Sequence, residues 1–177
     1  MSQPSQGRGE GPESAPQPTD FPPVEIGAFL RFCAGEWMAL RSRFALGEAP
    51  GEADEADSWH HSERGELVVT FLEPSSGDSP GGLKLGPKGE APRQLLFSGD
   101  GHFTVGGAAG EQEGSWTLWP DGSLELTLSG DATTVRERIW FTKPNLRLRS
   151  TVESRADGTP GRASFSSEIR RVSRPSG

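Results

Sequence analysis

From Val24 to Ala34 the apolar residues follow a helical rhythm, with Val24, Ala28 and Phe32 one turn apart and Ile26, Phe29 and Leu30 between them. Gly35 stands where helices commonly end, so a short N-terminal helix is predicted. Beyond it the period changes to two. Segments 36–45, 65–72, 94–98, 101–106, 113–119, 123–129, 133–142, 145–155 and 162–172 each read as a strand. Pro120-Asp121-Gly122 between WTLW and SLEL, and Asp100-Gly101 between LLFS and HFTV, predict tight hairpins. Residues 73–93 and the acidic stretch 47–57 read as long polar loops. Residues 1–22 are mostly Pro, Gly, Ser and Gln and hold too little apolar surface to offset ordering entropy, so they are expected to be a disordered tail. Residues 23–177 remain for one domain.

One helix followed by eight to ten short antiparallel strands is a meander, and a sheet of that length removes its open edges by closing on itself. The expected fold is all-β: an antiparallel up-and-down barrel with the N-terminal helix plugging one end. A barrel of about eight strands has room for one small ligand. Gly35-Glu36-Trp37 resembles the G-x-W at the start of the first strand of lipocalin-like barrels. That likeness implies a tryptophan closing the barrel floor, often stacked under an arginine from a late strand.

Composition narrows the function classes. Of the 177 residues 32% are hydrophobic, with Gly 24 and Pro 15, so the core is thin for the length and suits a barrel around a cavity. A formal charge of −7 argues against nucleic acid and against an anionic membrane surface. No run approaches the roughly 18 apolar residues of a membrane span, and no basic n-region precedes an apolar stretch, so a cytoplasmic protein is expected. Cys33 is the one cysteine; among apolar helix neighbours it reads as an inert buried thiol. His60 and His61 would point to opposite faces of a strand and His102 stands alone in a turn, so no metal site is expected.

The last three strands carry charge in alternation. Arg147, Arg149 and Thr151 share one face of 145–155, and Leu146, Leu148 and Val152 share the other. By composition alone the leucines would face the core and the arginines water. In the preceding strand Glu137, Ile139 and Phe141 share a face; in the last strand Ser164, Ser166, Glu168 and Arg170 do.

The runs ERIWFTKPNLRLRSTV (137–152) and ASFSSEIRRVS (163–173), with FLRFCAGEWMALRS (29–42), resemble the CpcS/CpeS-type bilin lyases. The family pattern is E-x-x-W-F-x-x-P-N-L-R-x-R, then A-S-F-x-S-E-I-R, after an N-terminal F-F-x-x-S-A-G-x-W-x-S-Q-R-T. The resemblance implies a ten-stranded lipocalin-like barrel that binds an open-chain tetrapyrrole, phycocyanobilin or phycoerythrobilin. It further implies a lyase promoting thioether formation between ring A and a cysteine of an apo-phycobiliprotein subunit, with no metal. It reverses the reading of the arginine face: Arg147 would point into the bilin pocket with Glu137 facing it. Carried over in the same way, Arg41, Trp37, Arg149, Thr151 and Glu168 become pocket residues, and Trp140 belongs to the opposite wall. The chemistry suits these types, because a guanidinium grips a propionate through two parallel hydrogen bonds and a carboxylate can hold a protonated pyrrole system.

The chain also departs from that pattern. Phe44-Ala45 replaces a His-His pair, and the family's tryptophan-bearing W-D-G-x-x-x-W segment is not recognisable in the middle region. These departures support an alternative, a non-catalytic bilin carrier or one subunit of a heterodimeric lyase. A homodimer is a further expectation.

Overall fold

The computed structural model describes residues 20–46, 60–107 and 110–172. The acidic stretch 47–57 and residues 1–19 of the expected tail lie outside the described residues. Helix α1 (Ile26–Cys33) leads into strands β1 (Gly35–Ala45), β2 (His60–Leu72), β3 (Gly81–Pro87), β4 (Arg93–Phe97) and β5 (His102–Gly107). Strands β6 (Gly110–Leu118), β7 (Leu124–Ser129), β8 (Thr133–Lys143), β9 (Leu146–Arg155) and β10 (Pro160–Arg170) complete the order. Each strand pairs antiparallel with its sequence neighbours, and β1 pairs with β10, so the meander closes into the barrel expected from the sequence.

One strand was not legible. Residues 81–87 belong to the segment expected to be a loop, yet they form β3 between β2 and β4. The stretch has two alternating leucines, Leu83 and Leu85, among glycines and a proline, too short a signal to separate from a turn. Both leucines are buried on the inner face. The glycines are needed for close approach: a Cβ on Gly82 would lie 2.5 Å from the Leu95 carbonyl oxygen. Strand β2 also starts earlier than expected, at His60.

Helix α1 closes one end. Phe29, Leu30 and Cys33 are buried, and the rings of Phe29 and Phe32 meet Phe141 edge-on at 5.4 and 4.8 Å. Trp37 follows immediately on β1, fully buried, and donates its indole N–H to the Cys33 carbonyl at 3.0 Å. Leucine and phenylalanine side chains of β3, β4, β5 and β7 continue this core along one wall. The two expected hairpins are present: Gly101 and Gly122 adopt φ of +91° and +78°, and Asp121 accepts the Ser123 N–H at 3.0 Å.

Gly114, on β6, faces Phe103 across the inner wall, where a Cβ would come within 2.7 Å of that ring and 2.5 Å of the Thr127 carbonyl. Gly114→Ala is expected to lower the unfolding free energy by about 1–3 kcal/mol through overpacking. Gly65→Ala, whose Cβ would meet nothing within 4 Å, should not lower it. Denaturant titration of the two variants makes the comparison.

Candidate functional site

Three neighbouring strands bring the charged residues together. On β9 the inward positions are Arg147, Arg149 and Thr151. The register sets Arg147 opposite Glu168 and Arg149 opposite Ser166 on β10, and Glu137 of β8 opposite Thr151. The arginines are therefore inside, at 1% and 7% exposure, and the leucines of β9 face outward. The compositional expectation fails here because both flanking strands supply carboxylates at matching heights, which makes a buried guanidinium affordable.

The contacts form a continuous ladder. Arg147 donates through Nε to Glu168 Oε2 at 2.5 Å, with its Nη2 equally close. Arg149 Nε lies 3.3 Å from Glu168 Oε1, and its Nη1 donates to Glu137 Oε1 at 3.0 Å. Thr151 reaches Glu137 Oε2 at 3.4 Å, and Ser166 reaches Glu168 Oε1 at 3.3 Å. Arg147 Nη2 and Arg149 Nε sit at ion-pair distance from Glu168 but off the hydrogen-bonding direction. The Arg147 guanidinium also lies 4.4 Å from the centre of the Trp37 ring, and Arg170 lies 4.2 Å from it. The tryptophan floor under a late-strand arginine is thus present, with a second arginine as well.

This arrangement corrects one expectation. Glu137 and Arg147 both line the interior, but they are not partners: Glu137 pairs with Arg149, and Arg147 pairs with Glu168. The reason is register, since Arg147 lies opposite Phe141 on β8, nearer the closed end than Glu137. Trp37, Arg41, Glu137, Arg147, Arg149, Thr151 and Glu168 all fall on the inward register of β1, β8, β9 and β10. Trp140 faces outward, its ring 6.3 Å from Phe165.

Electrostatics follow from burial and pairing. Burial alone would raise the Glu168 carboxyl, but the Arg149 and Arg147 charges outweigh it and hold the group below its ordinary value. Burial would likewise lower Arg149, yet Glu137 and Glu168 hold its proton more tightly than usual. Burial pushes the Cys33 thiol up, which keeps it protonated and unreactive despite the nearby Arg147. Among the described residues no group of His, Cys, Asp and Glu could hold a metal ion.

Around the ladder the interior narrows to about 10 Å³, room for about one water molecule. Toward the other end it widens. A concavity of about 410 Å³ is lined by Arg43, His61, Thr151, Glu153, Arg162 and Ser164; another of about 420 Å³, lined by Arg41 and Glu63 together with the surface residues Arg64, Glu66 and Lys88, opens beside β2 where β3 no longer pairs with it. Volumes of that order hold drug-sized ligands. Arg93 and Arg162 were missed in the sequence. Arg93 lay at the end of a presumed loop, where no face is assignable until β3 pairs with β4, and Arg162 marks the exposed rim of β10.

A family model described as CpeS-like protein matches residues 107–171. A protein of Paulinella chromatophora named chromophore lyase CpcS/CpeS 1 is 41% identical over 160 residues, covering 90% of this chain and 96% of its own. The chain belongs to the CpcS/CpeS chromophore lyase family. Chromophore lyase CpcS/CpeS 2 of a Synechococcus strain is 29% identical over 167 residues, covering 94% of this chain and 78% of its own. In structure, the lyase barrel is similar to the S-type phycobiliprotein lyase CPES of Guillardia theta, with a TM-score of 0.63 at 18% identity, covering 84% of this chain and 94% of that one. No helix among the described residues of this lyase is long and apolar enough to cross a membrane.

Because Glu168 bridges two buried guanidiniums, Glu168→Gln is expected to destabilise the barrel by about 3–5 kcal/mol in denaturant titrations near neutral pH. Its depressed carboxyl also adds stability that is complete above the ordinary value near 4.5 and lost as pH falls through the lowered folded value. Acidification below about pH 4.5 should therefore destabilise the wild type more steeply than Glu168→Gln, which equilibrium unfolding at stepped pH would show.

Proposed function

We propose that this protein is a bilin lyase acting in the cytoplasm, which holds an open-chain tetrapyrrole in the barrel mouth and presents it to a cysteine of an apo-phycobiliprotein subunit. The bilin is phycocyanobilin or phycoerythrobilin. The observation that carries the reading is the buried Glu168–Arg149–Glu137 ladder beneath a mouth wide enough for the ligand, in a chain of this lyase family. In the reaction the acceptor thiol adds across the exocyclic double bond of ring A. A sulfur–carbon bond forms, the π bond is consumed and the thiol proton ends on the bilin, so no nucleophile of the lyase is needed.

The protein's contribution is position and charge. Glu137 is oriented by Arg149 and Thr151 at the open side of the ladder, where its carboxylate can face the pyrrole nitrogens and favour their protonated, more electrophilic form. Arg41, half-buried on β1, supplies a guanidinium for a propionate. Arg147, Glu168 and Trp37 form the stiff end on which this arrangement rests.

A second reading, a bilin carrier or one subunit of a heterodimeric lyase, is favoured by the aliphatic wall. The inward residues of β3, β4 and β5 include Leu83, Leu85, Leu95, Phe97 and Phe103, with no tryptophan to stack on a ring.

Co-expression of the chain with a bilin-making pathway and an apo-phycobiliprotein subunit separates the two. A self-sufficient lyase gives bilin fluorescence on the subunit band that survives denaturing electrophoresis. Bilin that co-purifies with this chain without such an adduct supports the carrier, and absence of both overturns the proposal. In the same assay Glu137→Gln is expected to slow transfer by about 100-fold or more while leaving bilin binding within a few-fold. Arg41→Ala should weaken binding itself.

A further inference from the structure

The arginines that line the barrel interior and its mouth outnumber the carboxylates facing them. Arg43 is neutralised by Glu63 at 2.6 Å, and Arg147 and Arg149 by Glu168 and Glu137. Arg41, Arg93 and Arg162 form no ion pair among the described residues. Among the described strand residues on this side, Glu153, which stands opposite Arg162 in the β9–β10 register, forms no ion pair with an arginine. Among the described residues these six arginines thus meet four glutamates, two positive charges in excess, inside a protein whose formal charge is −7.

The three guanidiniums are placed on different walls. Arg41 stands on β1 and Arg162 on the adjacent β10, whereas Arg93 stands on β4, separated from β1 by β2 and β3. Arg93 is exposed as a residue, yet it contributes to the lining of the narrow interior with Glu137 and Arg149. Loss of solvent lowers its hold on its proton, and the Arg149 and Arg41 charges lower it further against the pull of Glu137. Cations gathered this way repel one another until an anion arrives. Arg162 lines the 410 Å³ concavity with the hydroxyls of Thr151 and Ser164 and with Glu153, its register partner on β9.

We propose that Arg93, with Arg41, seats one carboxylate of a dicarboxylate ligand and that Arg162 seats the other at the rim. The inference rests on the bilin-lyase reading and adds to it the residues that select a tetrapyrrole with two free propionates. Two anionic groups match the two excess charges, and guanidinium forks are suited to carboxylates. The conjugated rings then lie across the mouth, above the narrow floor.

The test is absorbance titration of the purified full chain with phycocyanobilin and with its dimethyl ester, for wild type, Arg93→Gln, Arg162→Gln and the double variant. Neither substitution breaks an ion pair, so denaturation midpoints should match the wild type, and this is checked first. Esterification is expected to weaken wild-type binding about 100-fold, roughly tenfold for each carboxylate contact. Each single variant should weaken binding of the free acid about tenfold and leave the diester unchanged, and the double variant, which keeps Arg41, should lose most of the preference for acid over diester. A variant that weakens both ligands equally, or neither, overturns the carboxylate assignment. If the wild type binds and transfers phycocyanobilin while both variants equal it, this inference alone falls. If the wild type binds neither ligand, the bilin-lyase reading falls and the inference with it.

Discussion

A single carboxylate, Glu168, holds two guanidiniums inside the barrel, and much of the surrounding architecture serves to keep that cluster dry. Removing such ions from water costs several kcal/mol each, which is recovered only when every charge finds a partner at good distance. Strand β9 supplies both arginines, β10 the central glutamate and β8 the second one, so the cluster exists only because these strands are adjacent and in this register. Trp37 covers one face of Arg147, and helix α1 excludes water beyond it. Arg170 ties the same end together by donating to the carbonyls of Phe32 and Ala34 at the end of the helix.

Putting charge inside has a consequence outside. Successive strand residues point to opposite faces, so β1, β9 and β10, polar within, present apolar side chains to the surface. Met38 is 54% exposed and its register partner Ile169 57% exposed, with Leu40 and Phe165 nearby. The remaining wall has the ordinary polarity: Leu83, Leu85 and Leu95 face in while Lys84 and Gln94 face out. The interior is thus apolar on one side and ionic on the other. That division suits a flat conjugated molecule with an oily ring system and anionic substituents.

Rigidity and access are separated along the barrel axis. The end beneath α1 is packed down to about one water molecule, while the opposite end opens into concavities of ligand size. Glu137 lies at the junction, its carboxylate held by Arg149 from the packed side and by Thr151, which lines the open concavity. The role proposed for Glu137 requires a group that does not reorganise during the reaction, and a ladder anchored in a dry floor meets that requirement.

Much of this was legible in the chain. Alternation marked nine of the ten strands, the helical rhythm and Gly35 located α1, and the two aspartate–glycine turns placed their hairpins, because each of these signals is local. The family motifs pointed to the residues of the ladder. Strand β3 was hidden, since two leucines among glycines form a strand only when β2 and β4 are already beside them. Composition put the arginines of β9 in water, which any isolated strand of that sequence would do. Whether Arg147 answers to Glu137 or Glu168, and whether Arg93 reaches the interior at all, depended on register and closure. The sequence by itself determined the meander and which residues share a face. Only the tertiary structure decided which face is inside and which charges meet, because the carboxylates that make burial of the arginines tolerable come from other strands.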